Sequence, residues 1–150
     1  MNTNGLKVAA SRAVLGLLQS DELIRVGVQA LVSGCDSPSL RILAGLNATE
    51  IEEARGMFKR ALSELRVAVP GKRDAVMHLA RETAKGILSG TTGVYLGAKQ
   101  IWDLTHRASD EEFPELDSFV YAASEWEDRP EARHDFEEGI VAAAREFVNG

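Results

Sequence analysis

A single cysteine, Cys35, leaves no partner for an intramolecular disulfide. That excludes the small secreted folds built on such staples and fits a reducing compartment. No stretch approaches the roughly 18 uninterrupted apolar residues of a membrane span. The apolar start from Met1 to Leu18 contains Arg12 and lacks a small-residue cleavage pattern after it. It reads as a helix and not a signal peptide, so the expected location is the cytoplasm.

Catalytic and cofactor signatures are equally scarce. Gly90-x-x-Gly93 and Gly93-x-x-x-Gly97 lack the Lys-Ser/Thr and the preceding strand that would make a phosphate loop. Gly97 inside a helix is expected to mark close helix packing instead. Cys35 is flanked by Asp36, which opposes a thiolate, so it reads as a buried or turn residue. The three histidines are His78, His106 and His134. Glu131-x-x-His134 and Asp103-x-x-His106 imitate part of a di-iron bundle motif, but such a site needs further inward glutamates on long helices. No cofactor and no metal site are expected, and the expectation is a non-enzymatic protein.

What the chain does have is charge divided by position. Residues 1–102 carry 13 Lys/Arg against 9 Asp/Glu, a net of +4, and residues 103–150 carry 4 against 14, a net of −10. Together they give the chain's −6. A field of one sign steers and selects charged partners and says little about fold.

Apolar residues recur at spacings of three and four throughout, with no convincing strand, repeat or low-complexity tract. The expected fold is all-α: a single domain, residues 1–150, formed by an irregular array of about eight short to medium helices. Helices are expected over about Leu6 to Leu18, Ser20 or Asp21 to Gly34, and Ser39 to Gly45. Asp36-Ser37-Pro38 is the start signal of the third. Asn47 and Thr49, each with a glutamate three residues on, offer two registers of a capping box for a helix to about Val67 that buries Ile51 and Phe58. Further helices are expected over about Arg73 to Ser89, Val94 to His106 and Glu115 to Glu127. Asp128 with Glu131 is a capping box opening the last. Ala108 to Pro114 is the expected exposed loop.

At roughly 100° per residue, Glu131, Asp135 and Glu138 share a narrow arc pointing away from the apolar set of the last helix. Asp110, Glu111, Glu112, Glu115, Asp117, Glu125, Glu127 and Asp128 extend the acidic set upstream. A solvated face with acids answering helix dipoles is the plainer reading. The functional reading is a docking surface for a basic protein, with Trp126 and Trp102, each beside acidic residues, as secondary aromatic anchors, although a tryptophan at helical spacing is more often core. Phosphates would be repelled, so no nucleic acid is expected here. Elsewhere, Leu40 to Arg66 fits a helix-turn-helix poorly, because Glu50, Glu52 and Glu53 crowd the turn that would meet bases.

The segment Ala30-Leu31-Val32-Ser33-Gly34-Cys35-Asp36-Ser37-Pro38-Ser39-Leu40-Arg41-Ile42-Leu43-Ala44-Gly45-Leu46 resembles a stretch of small, uncharacterised bacterial helical proteins. Ala123-Ser124-Glu125-Trp126-Glu127-Asp128 is similar to their C-terminal region. The resemblance implies a bacterial, all-helical, cytoplasmic protein and carries no established chemistry.

The resulting expectation is a protein-binding module with an acidic C-terminal surface. Its most concrete form is a bacterial immunity protein that neutralises a basic toxin domain. The alternatives are a structural or regulatory helical module, and, further off, a DNA-binding regulator or a metal-dependent enzyme. Oligomeric state is not legible.

Overall fold

The structure, a computed structural model, describes residues 2–150; Met1, where the N-terminal apolar stretch begins, lies outside them. Among the described residues the fold is all-α, with no strand. The helices are α1 (Asn4–Val14), α2 (Ser20–Val32), α3 (Pro38–Ala44), α4 (Ile51–Glu64), α5 (Lys72–Ser89), α6 (Val94–Thr105), α7 (Asp117–Asp128) and α8 (Arg133–Asn149). Short 3₁₀ turns cover His106–Ala108, Pro114–Leu116 and Pro130–Ala132. No helix is long and apolar enough to cross a membrane among these residues. Contacts group the chain into two compact units, Met1–Ala75 and Val76–Gly150.

In the first unit, α2, α3 and α4 pack against one another and α1 against α2. Their shared core holds Leu6, Leu23, Cys35, Leu40, Leu43, Phe58 and Leu62. α1 stops earlier than its apolar pattern extends. Gly16 adopts φ +72°, and Leu17 N–H donates to the Arg12 carbonyl at 2.9 Å, closing the helix end. α2 ends as expected, before Gly34 at φ +95°. α2 also crosses α3 closely, since a Cβ on Gly27 would stand 3.1 Å from Leu43 Cγ.

α3 begins on the expected corner. Ser37 Oγ accepts from Leu40 N–H at 3.1 Å, and Pro38 occupies the first turn. Glu64, from the end of α4, reaches the same place: its carboxylate accepts Ser39 N–H at 3.0 Å and Ser39 Oγ–H at 2.6 Å. These bonds hold the Glu64 carboxyl below its usual range, the Ser39 hydroxyl being the main cause. Asp36 and Arg41 form a two-point ion pair beside them.

α4 departs from expectation at its start. Neither capping-box register forms; Asn47 Oδ1 instead accepts from Thr49 N–H at 3.0 Å, a local turn that competes with capping. The helix therefore begins at Ile51, which is 44% exposed rather than buried. It ends on Arg66 at φ +57°, whose neighbour Val67 donates to the Leu62 carbonyl at 2.8 Å.

In the second unit, α6, α7 and α8 pack pairwise. α5 joins them through Ile87 against Gly97 on α6, and through Arg81, which donates to the Val148 carbonyl on α8 at 3.0 Å. A Cβ on Gly97 would fall 2.5 Å from Ile87 Cγ1, so the expectation of close packing there holds. Ile101, Leu116, Phe119, Ala123, Ile140 and Ala144 are fully buried. α7 and α8 run antiparallel, with Trp126 beside Arg133 and Phe119 beside Phe147. The expected capping box at Asp128 and Glu131 does not form. A 3₁₀ turn on Pro130 precedes α8, whose own start has no side-chain cap.

Candidate protein-binding surface

The segment between α6 and α7 owes its shape to three buried apolar residues, Ala108, Phe113 and Leu116, with acids between them. Burying those three leaves Asp110, Glu111, Glu112 and Glu115 exposed, together with Asp117 at the start of α7. The expected loop is thus exposed through its carboxylates while its apolar residues fasten it to the unit.

The other acids lie elsewhere. Glu125, Glu127 and Asp128 occupy the C-terminal end of α7, and Glu131 follows in the 3₁₀ turn. Asp135 and Glu138 continue along the exposed side of α8, the orientation that helical spacing predicts. Asp117 and Asp128 bound α7, so the two groups start about 16 Å apart at 1.5 Å per residue.

The two groups also differ in local neutralisation. Glu125 pairs with Arg129 at 3.6 Å, and Glu131 pairs with the same arginine at 3.6 Å. Glu127 faces Lys99 at 3.8 Å and accepts from Tyr95 O–H at 2.6 Å. Glu138 lies 3.1 Å from His134 Nε2. Among the described residues, no cation stands within ion-pair distance of Asp110, Glu111, Glu112, Asp117, Asp128 or Asp135. Surface pairs of this kind add little stability, but each cancels part of the local field. Carboxylates without a cation are therefore more numerous in the first group (Asp110, Glu111, Glu112 and Asp117) than in the second (Asp128 and Asp135).

Beside that end is a depression of about 300 Å³ lined by Trp102, Thr105, His106, Ser109, Glu111, Phe113, Asp117 and Val120. Trp102 and Val120 are half-buried, Phe113 is buried and both carboxylates are exposed. The Lys99 ammonium sits 4.0 Å from the Trp102 ring centroid, a cation on an aromatic face.

Trp126 is placed differently. Its ring stacks on Tyr95 with centroids 3.8 Å apart, and the Arg133 guanidinium lies 3.8 Å from its centroid. Arg133 Nε–H also donates to the Trp126 carbonyl at 3.0 Å. Trp126 therefore acts as packing between α6, α7 and α8, and its indole Nε1 is buried with no hydrogen-bond partner. The Tyr95 phenol is held above its usual pKa, first by its hydrogen bond to the Glu127 carboxylate and then by burial. Tyr95, Lys99 and Arg133 are the residues that sequence reasoning passed over. Tyr95 and Lys99 share one face of α6 at i,i+4, and Lys99 also meets Trp102 and Asp103 on α6; the Glu127 that both reach lies on α7, which no local spacing reveals.

The metal-like units do not assemble. Glu131 pairs with Arg129 and His134 with Glu138. No group of three or more His, Cys, Asp or Glu residues stands close enough to hold a metal among the described residues. No family model, curated protein or solved structure matches the chain.

Proposed function

We propose that this chain is a non-enzymatic protein-binding module that holds a basic protein partner through carboxylates of residues 110–138. The most concrete case is a bacterial immunity protein that covers the cationic surface of a cognate toxin domain. Carboxylates pair there with groups that otherwise contact phosphate, and unbalanced charge raises association rate while rejecting acidic competitors. The observation that carries the reading is the set of exposed carboxylates without cations, Asp110, Glu111, Glu112 and Asp117, in a segment, residues 103–150, of net −10.

The test is association with a basic toxin domain encoded beside this chain, measured as on-rate and affinity over a salt series. Screening weakens the attraction as salt rises, so the on-rate falls. Reversing Asp110, Glu111 and Asp117 to Lys is expected to slow association more than reversing Glu131, Asp135 and Glu138. The reason is that the first set has no intramolecular counter-charge while the second includes paired residues. Binding that is insensitive to salt and survives both triple reversals at full strength would sink the proposal.

A further inference from the structure

The depression beside the 110–117 carboxylates combines features that single out one kind of side chain. Its lining offers a half-buried indole, Trp102, and the buried Phe113, with Glu111 and Asp117 exposed beside them and carrying no cation. The lining also includes Thr105, His106 and Ser109, so the depression is open and mixed: the Trp102 indole offers a guest one aromatic face, and the two carboxylates supply charge and acceptors. Trp102 already receives one cation, Lys99 at 4.0 Å, so its ring sits in a position where a positive group gains from the aromatic quadrupole.

We infer that this depression is the receptor for an arginine side chain of the basic partner. The inference rests on the binding function proposed above and names the partner's chemistry at one point of its surface. A guanidinium suits the lining better than an ammonium. It is planar and weakly hydrated, so it lies flat on an aromatic ring, and its fork of donors meets carboxylates at two points. A lysine ammonium, compact and strongly hydrated, gains from the carboxylates but meets them as a point charge and has no planar face to lay on the indole. A single side chain is also a fitting guest for about 300 Å³, a volume at the small end of ligand sites.

The experiment uses the full chain and three blocked tetrapeptides: tetra-arginine, tetra-lysine and tetra-citrulline, the last with arginine's shape and no charge. Trp126→Phe leaves Trp102 as the only tryptophan, so its fluorescence reports the depression. The indole N–H signals of the unaltered protein, followed by NMR, give the same information without a substitution. The expected result is a saturable change at Trp102 with tetra-arginine, at least tenfold weaker binding of tetra-lysine, and none of tetra-citrulline. Combining Glu111→Gln with Asp117→Asn is expected to lower tetra-arginine affinity at least tenfold, while reversing the exposed Glu53, outside the proposed surface, changes it less than twofold. Equal, salt-sensitive binding of tetra-arginine and tetra-lysine overturns the receptor and leaves the acidic-surface proposal standing. Unchanged tetra-arginine binding by the double variant also overturns the receptor. Absence of binding by either cationic peptide removes both ideas.

Discussion

Arg66 holds a left-handed backbone at φ +57° where helix ends commonly place glycine. A side chain there crowds its own carbonyl, and glycine removes that cost while adding unfolded-state entropy. Arg66→Gly is therefore expected to raise stability by about 0.5–1 kcal/mol in chemical denaturation. Arg66→Val, β-branched and worse suited to positive φ, is expected to do the reverse. Gly97 presents the opposite situation: its φ is ordinary, but the Ile87 side chain occupies the place of a Cβ. Gly97→Ala is expected to cost about 1–3 kcal/mol through overpacking, with partial recovery in the double variant Gly97→Ala, Ile87→Val. Additive effects in that double-mutant cycle would show that the two sites do not share the contact. Trp126 teaches a different lesson, for its buried indole N–H has no acceptor. Leaving a buried donor unpaired is costly, so Trp126→Phe loses stacking area on Tyr95 but also removes that cost. The expected net effect is smaller than the roughly 3–5 kcal/mol typical of truncating a packed tryptophan to alanine.

The start of α3 shows how one helix end is secured twice, locally by Ser37 and across the unit by Glu64 from α4. The negative carboxylate also answers the positive end of the helix dipole. Because the folded state lowers the Glu64 pKa below the unfolded value of about 4.3, its contribution is present above that value. It is lost as pH falls through the folded value. Glu64→Gln is accordingly expected to be less stable than the native chain at neutral pH, with the gap narrowing below about pH 4. A gap of constant size from neutral to acid pH would contradict the assignment. The phenol on α6 works in the opposite sense. Tyr95 has a raised pKa in the folded state, so its contribution is complete below about pH 10 and is lost as pH rises through the folded value. Tyr95→Phe is expected to flatten the alkaline limb of the stability profile.

Elements were legible where the signal was local. Gly34 and Asp36-Ser37-Pro38 mark boundaries through backbone and capping chemistry that acts within four residues, and both function as expected. The two capping boxes failed for an equally local reason, since the same polar residues serve turns as readily as caps. Asn47 spent its side chain on Thr49, and the Pro130 turn shifted the start of α8 to Arg133.

For the whole molecule, the proposed binding depends on how much of the −10 in residues 103–150 is left unopposed. Among the described residues, Glu125, Glu127, Glu131 and Glu138 face a cationic or histidine partner, and Trp126 is engaged in packing. Asp110, Glu111 and Glu112 stand without a cation where Ala108, Phe113 and Leu116 turn inward, and no basic side chain occurs among the residues between those three. This predicts that the salt dependence of binding resides in the 110–117 end. Neutralising Asp110, Glu111, Glu112 and Asp117 is expected to reduce the slope of log affinity against log salt more than neutralising Glu125, Glu127, Glu131 and Glu138. Equal reductions would mean that the ion pairs open on binding.

Composition and periodicity by themselves determined an all-helical chain, its helix count, most of its inward faces and the division of charge, because each depends only on residues near one another in sequence. Tertiary structure alone decided which carboxylates retain their field, that Trp126 packs against Tyr95 and Arg133 while Trp102 lines a depression, and that Gly97 lies under Ile87. Those outcomes depend on groups brought together from separate helices, and no periodicity within one helix specifies which side chain of another it will meet.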